Sequence, residues 1–162
     1  MDFAAADALN QAIRLLSLRH RARAAALLAP LGLYPGQEAL LLELDRTGPR
    51  IQAQLSDALG CEPPSVTLMT KKLEASGHIS RSPAPTDKRA TVVALTDRGR
   101  ALAQRVKALW CDLAEETVAG LPADTVAALP AVLAALTANV DAQNRADRAG
   151  HRIRAERNTL QA

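Results

Sequence analysis

The sequence predicts a mainly α-helical protein that carries one small β-hairpin. Of its 162 residues, 48% are hydrophobic but only 2% are aromatic, so a core must be built from Ala, Leu, Val and Ile, which favours packed helices. The hairpin is predicted by two short runs, 78–82 and 90–95, of which the second, ATVVAL, is rich in β-branched residues. The other apolar runs have helical spacing.

Four helices are expected before the hairpin. The first spans 4–29, without an interior Gly or Pro, and the second spans 37–46 and ends at a Thr-Gly-Pro sequence. The third spans 51–59 and is followed by a glycine, which suits a position where φ is often positive. The fourth begins at Pro63, because proline is tolerated in the first turn of a helix, and it ends before Gly77.

Two further helices are expected after the hairpin. Thr96 can cap the first of them, 97–120. The last begins near Pro122, and Pro130 should kink it or split off its first turns. Its apolar residues are spaced three and four apart, which is the heptad pattern of a coiled-coil seam. These seam residues are Val126, Leu129, Leu133, Leu136 and Val140. The Arg-rich end that follows is either a helical extension or disordered.

Positive charge is concentrated in the middle of the chain. The formal net charge is +3 overall, and residues 46–100 contain nine Lys and Arg against five Asp and Glu. A localised basic region indicates an anionic partner, most often nucleic acid. This region contains no aromatic residue to stack on unpaired bases, so double-stranded DNA is favoured over RNA or single strands.

Several classes of protein are disfavoured. The sequence shows no carboxylate pair, nucleophile–base set, Gly-rich phosphate loop or metal-ligand cluster at useful spacing, so we expect no enzyme activity, no cofactor and no metal ion. Its two cysteines, Cys61 and Cys111, give no disulfide framework. The N-terminus lacks a secretory layout, and no run approaches the roughly 18 apolar residues of a membrane span. We therefore expect a cytoplasmic protein with no membrane partner.

The third and fourth helices, joined by a tight turn at Gly60, predict a helix-turn-helix. A helix fits the major groove of B-DNA, and small polar residues let its backbone approach the base edges. In the recognition helix, 63–76, the residues expected to face the bases are Thr67, Leu68 and Lys71. Those expected nearer the phosphates are Ser65, Thr70 and Lys72.

The hairpin would then form a wing beside the helix-turn-helix. Its loop, 83–89, is stiffened by two prolines and ends in Asp-Lys-Arg. Lys88 and Arg89 could enter the narrow minor groove, whose negative potential favours cations. We expect Asp87 either to pair with Arg89 or to cap the turn, and so to direct the guanidinium.

Residues from about 31 to 100 resemble the MarR family of bacterial winged helix-turn-helix regulators. The matching segments are LGLYPGQEALLLEL, QAQLSDALGCEPPSVTLMTKKLEASGHISR and TDKRATVVALTDRGRAL. The last is the most diagnostic, with Asp-x-Arg at the wing and Leu-Thr-x-x-Gly-Arg after the strand. Two departures, the double proline at 63–64 and Leu68 on the groove face, leave the operator sequence open.

The resemblance implies a fold, partners and a mode of action. The fold would be a winged helix-turn-helix flanked by N- and C-terminal dimerisation helices. The four parts would be a dimerisation helix and linker at 1–34, a DNA-binding lobe at 35–100, dimerisation helices at 101–146 and an Arg-rich tail at 147–162. The protein would be a homodimeric repressor of a palindromic operator, released by a small aromatic or anionic effector. Candidate effector-pocket residues are Arg19, His20, Tyr34 and Trp110.

Two alternatives remain open at this point. The protein could be a dimeric winged-helix adaptor that acts through protein contacts without specific DNA binding, and salt dependence would separate the two, because phosphate neutralisation makes log K fall steeply with log salt. Cys61, just before the recognition helix, also raises the weaker hypothesis of an oxidant-sensitive switch.

Overall fold

The computed structural model of the chain describes residues 1–85, 87 and 89–159, with side chains described as far as residue 144. The chain divides into two compact units, residues 1–117 and 118–162. The finer division into four parts, with boundaries after residues 34, 100 and 146, stays a prediction.

The expected order of helices and hairpin is confirmed, with one added strand. Within the described residues the helices are α1 (Phe3–Leu28), α2 (Gln37–Thr47), α3 (Gln52–Leu59), α4 (Pro63–Ala75), α5 (Asp97–Val118) and α6 (Ala123–Thr159). The strands in the same part of the chain are β1 (Arg50–Ile51), β2 (Ile79–Pro83) and β3 (Thr91–Leu95). A 3-10 turn, Ala29–Leu31, follows α1.

The sheet is antiparallel in the order β1-β3-β2. β2 and β3 form the predicted hairpin, in which Ile79 pairs with Leu95. β1 was not predicted, because two residues are too few to show the alternation by which a strand is recognised. It exists through its pairing with β3, where Ile51 lies opposite Val92.

The core lies under the helix-turn-helix and is built from aliphatic side chains, as the composition predicts. Four leucines, Leu40, Leu41 and Leu44 of α2 and Leu55 of α3, pack with Val66 and Leu73 of α4 and Val93 of the sheet, and all seven residues are 0–2% exposed. The apolar stripe of α1 behaves differently, since Leu9, Ile13 and Leu16 stay about half exposed. That face of α1 therefore has no cover within the described protomer.

The last helix, α6, is a single element with Pro130 inside it. Of the two effects expected of this proline, a split of the first turns is therefore wrong, and a kink stays a prediction. The helix runs on to Thr159, which favours a helical extension for the tail over disorder. Leu133, Leu136 and Val140 of the predicted seam are 41–60% exposed.

The same helix corrects the expectation about membrane-length segments. Its first part, Ala123–Asn144, is long and apolar enough to cross a membrane by length and composition, with a mean hydropathy of 1.5 over a window of 18 residues. One such helix is weak evidence for a membrane segment, since helices that pack in soluble proteins meet the same criterion. Its apolar residues also follow the heptad spacing of a helix–helix seam.

Candidate nucleic-acid interface

The recognition helix α4 turns one face to the core and presents another to solvent. Val66 and Leu73 are buried, whereas Leu68 is 56% exposed. Ser65, Lys71 and Lys72 are exposed as well, so four of the residues expected to meet DNA can be reached from outside. Their contact with DNA stays a prediction.

Thr70 corrects the sequence-based assignment, because its side chain is fully buried. Its hydroxyl donates to the backbone oxygen of Thr67 at 3.0 Å. The physical reason is helical geometry: Thr70 lies four residues after Val66, about 40° away around the helix, and so faces the core with it. In this arrangement Thr70 cannot touch a phosphate.

Thr67 is half-buried and is held by its neighbours. Its hydroxyl donates to the Pro63 carbonyl at 2.9 Å and accepts from the side-chain amide of Gln52 at 2.8 Å. Gln52 begins α3, the first helix of the helix-turn-helix, and was not singled out from the sequence. A lone Gln at a helix start carries no signal for a partner 15 residues away.

Lys72 lies beside an aromatic ring. Its ammonium nitrogen stands 4.9 Å from the ring centroid of Tyr34, a geometry that attracts a cation. Tyr34 is 66% exposed, and its backbone N–H donates to the side-chain oxygen of Gln37 at 2.9 Å. Tyr34, which we placed in an effector pocket, therefore borders the recognition helix.

The wing loop is organised by Asp87. Of the two roles considered for this residue, the structure shows the cap: its Oδ1 accepts from the backbone N–H of Arg89 at 2.9 Å. The Asp87 carbonyl also accepts from the Ala90 N–H at 2.9 Å, which closes the turn. Arg89 is exposed at its end. Lys88 lies outside the described residues.

The wing and the helix-turn-helix meet at one cleft. It has a volume of about 320 Å³ and is lined by Ile51, Gln52 and Ala53 on one side and by Asp87, Arg89, Ala90 and Thr91 on the other. Gln52 thus borders Arg89 across the cleft while it binds Thr67 of the recognition helix. The wing tip and α4 therefore lie at the same end of this lobe.

Thr96 connects the recognition helix to α5. Its hydroxyl accepts from the Gly99 N–H at 3.1 Å, which confirms the predicted cap, and donates to the Gly77 carbonyl just after α4 at 2.8 Å.

Two further groups lie where the wing meets α4. Burial and the nearby Arg98 guanidinium lower the pKa of His78. Arg81 of β2 adds an ion pair to Glu74 of α4 at 3.3 Å. These contacts brace the wing against α4.

The candidate effector residues do not form one pocket. Arg19 and His20 line a cleft of about 280 Å³ between α1 and α5. Tyr34 lies beside Lys72, and Trp110 packs against the core.

The cleft between α1 and α5 also contains an ion pair. Arg23 and Glu116 form two hydrogen bonds, at 2.7 and 2.6 Å. That pair lowers the pKa of Glu116 and raises that of Arg23.

The two cysteines lie in different surroundings. Cys61 is half-buried and packs against the core, and Cys111 is exposed. Within residues 1–85, 87 and 89–144, no group of three or more His, Cys, Asp or Glu side chains could hold a metal ion.

Comparison with known proteins gives consistent matches. The sequence model of the MarR family matches residues 33–91. An uncharacterised HTH-type transcriptional regulator of Bacillus subtilis, YwoH, is 32% identical over 111 residues, which are 68% of this chain and 77% of the relative.

Two solved structures determined with DNA share the fold. A cysteine-to-serine mutant of E. coli MarR, complexed with operator DNA, matches with a TM-score of 0.74 at 27% identity, over 84% of this chain and 99% of that one. The transcriptional repressor CouR, bound to a 23-mer DNA duplex, matches with a TM-score of 0.74 at 32% identity, over 80% of this chain and 92% of CouR.

Proposed function

The chain belongs to the MarR family of transcriptional regulators, and from this premise we propose that it is a homodimeric repressor that binds a palindromic DNA operator. The observation that carries the proposal is the placement of the exposed face of α4 and of Arg89 at one end of the DNA-binding lobe, around Gln52. A duplex at that end would meet both elements at once.

DNA recognition would divide between the two elements. Lys71 and Lys72 give α4 a basic, exposed edge, and small Ser65 lets the helix backbone approach the major groove. Arg89 stands at the end of a capped turn, from which a guanidinium can reach the minor groove beside the recognition helix. Two of the solved relatives were determined on DNA, which supports the same use of this lobe.

Dimerisation would cover the apolar faces that the protomer leaves exposed. Leu9, Ile13 and Leu16 of α1 and Leu133, Leu136 and Val140 of α6 are each at least 41% exposed. Contiguous apolar faces of this kind mark association surfaces. In a two-fold dimer the recognition helices would lie about 34 Å apart, one turn of B-DNA, so the operator would be a palindrome.

An effector would bind in the cleft between α1 and α5. The cleft combines Leu16 and Leu113 with Arg19, His20 and the Arg23–Glu116 ion pair, and its Arg19 and His20 suit a small aromatic or anionic ligand. Its volume of about 280 Å³ is near the lower end for small-molecule sites. Isothermal titration with small aromatic acids tests this part, with Arg19→Ala as the variant that should weaken binding.

The decisive experiment is a fluorescence-anisotropy titration of the purified protein. It compares duplex DNA from upstream of the protein's own gene with a shuffled duplex of the same composition, at about 50 and 200 mM salt. We expect tighter binding to the upstream duplex and a steep loss of affinity with salt. No binding to either duplex at low salt would favour the adaptor alternative and turn the search to a protein partner.

A further inference from the structure

Gln52 makes a link between the two helices of the helix-turn-helix. It is the first residue of α3, and its Nε2 donates to the hydroxyl of Thr67 in α4 at 2.8 Å. Its Oε1 lies 3.4 Å from the Thr70 hydroxyl. Among the described residues, these are the only side-chain hydrogen bonds between α3 and α4.

The two contacts differ in strength. The Thr70 hydroxyl has one proton, and its nearer acceptor is the Thr67 carbonyl, at 3.0 Å against 3.4 Å for Gln52. The bond from Gln52 to Thr67 is shorter and has no competitor for its proton. It is therefore the bond that joins the helices.

The Thr67 hydroxyl accepts this bond while it donates its own proton to another group. The hydroxyl donates to the Pro63 carbonyl at 2.9 Å, so toward Gln52 it can only accept, and one lone pair is left. Thr67 therefore cannot donate to a base or a phosphate unless it gives up its bond to Pro63. The sequence predicts that Thr67 faces the bases, but its hydroxyl serves more to fix the helix than to contact DNA freely.

We propose that Gln52 is a positioning residue for DNA recognition: through Thr67 it holds α4 at the angle at which base contacts form. The inference rests on the proposed function. Base readout depends on hydrogen bonds with strict geometry, whereas long, flexible lysine side chains can follow a phosphate when the helix tilts. Loss of the link should therefore reduce the preference for the operator and leave non-specific affinity unchanged.

The test compares Gln52→Met with Gln54→Met in full-length protein. Methionine has the length of glutamine but no amide. Gln54 is the matched control, because it is exposed on the same helix and its Oε1 accepts from the Ile51 N–H at 3.1 Å, with no bond to α4. The readouts are Kd for the upstream and shuffled duplexes, the salt slope, and thermal stability. We expect Gln52→Met to lower the ratio of the two affinities about three- to tenfold, and Gln54→Met to leave it unchanged.

Two variants of the partner complete the test. Thr67→Val removes the hydroxyl at nearly constant shape and should lower the ratio as Gln52→Met does, whereas Thr67→Ser keeps the hydroxyl and should retain it. The double variant Gln52→Met with Thr67→Val should lose no more than either single variant, because both break the same bond. The two Thr67 variants also test the proposal if Gln52→Met fails to fold.

The outcomes separate the two proposals. If the wild-type protein has no preference for the upstream duplex, the proposed function fails and this inference with it. If the wild-type preference exists and Gln52→Met retains it, the inference alone is overturned. Additive losses in the double variant would also overturn it, since they would mean that Gln52 and Thr67 act independently.

Discussion

The carbonyl oxygen of His78 lies where a side chain at position 99 would begin. A Cβ built on Gly99 would stand 1.9 Å from that oxygen and 2.9 Å from its carbon. Gly99 lies in the first turn of α5, and His78 follows the recognition helix. The glycine therefore allows α5 to pack directly against the chain that leaves α4, and it gives a physical reason for the Gly in the Leu-Thr-x-x-Gly-Arg sequence.

Gly99→Ala should destabilise the lobe. The added methyl group would force the backbone at position 99 away from the His78 carbonyl. Overpacking of this kind typically costs about 1–3 kcal/mol. Urea denaturation measures the change in the free energy of unfolding. Gly60→Ala is the comparison, since Gly60 has φ of 60° with nothing near its Cβ and should lose about 1 kcal/mol from backbone strain alone. A Gly99→Ala variant as stable as the wild type would contradict the close packing.

Arg89→Ala should weaken operator binding without unfolding the protein. Arg89 is exposed and the Asp87 cap uses its backbone N–H, so truncation of the side chain leaves the turn intact. We expect a loss of about 1–3 kcal/mol in operator binding, measured by anisotropy. Lys72→Ala, by contrast, removes a side chain expected nearer the phosphates and should reduce the salt slope by about one, whether it is measured on the upstream or the shuffled duplex. Unchanged operator affinity in Arg89→Ala would remove the wing from the interface.

Leu136→Glu should break the dimer. Leu136 lies in the middle of the exposed seam of α6 and is 41% exposed in the protomer, so a charge there would be buried without a partner in a dimer. Sedimentation velocity should show a monomer at concentrations where the wild type is a dimer, and DNA affinity should fall with it. Ala131→Glu, on the opposite side of the helix, is the control and should remain dimeric. A dimeric Leu136→Glu would place the seam elsewhere.

His78 should make stability depend on pH. Burial and then the Arg98 charge lower its pKa from 6.5, so below about 6.5 the unfolded state takes up a proton before the folded state does. Stability should therefore fall as pH drops from about 6.5 toward the lower native pKa, and recover as pH rises. Urea midpoints between about pH 5 and 7.5 measure this, and His78→Gln should lose that part of the dependence. Identical profiles in both proteins would contradict the assignment.

Much of the fold could be predicted because it depends on local signals. Pro63 at a helix start, Gly60 in the left-handed region and Thr96 as a cap each appear in the structure where the sequence places them. Turn and cap residues act within a few positions of themselves, and so a single sequence reveals them. The prediction that α4 is the recognition helix depends likewise on its position after such a turn.

Most errors arose where one chain segment meets another, and one arose within a single helix. β1 is too short to be seen without its partner strand, and Thr70 was assigned to the phosphates because its polarity was weighed above its place on the buried side of α4. The four effector-pocket candidates were grouped by the family resemblance, and the fold separates them into three surroundings.

By itself the sequence determined the helices and the hairpin, the helix-turn-helix, the basic region and the heptad spacing of the apolar residues in α6, because each depends on residues close together in the chain. Only the tertiary structure decided which side chains share a partner. It brought Gln52 to Thr67, Lys72 to Tyr34 and His78 to Gly99, across 15 or more residues in all three cases. Such pairs have no spacing rule, since the distance between them is set by how helices and strands pack and not by the order of residues.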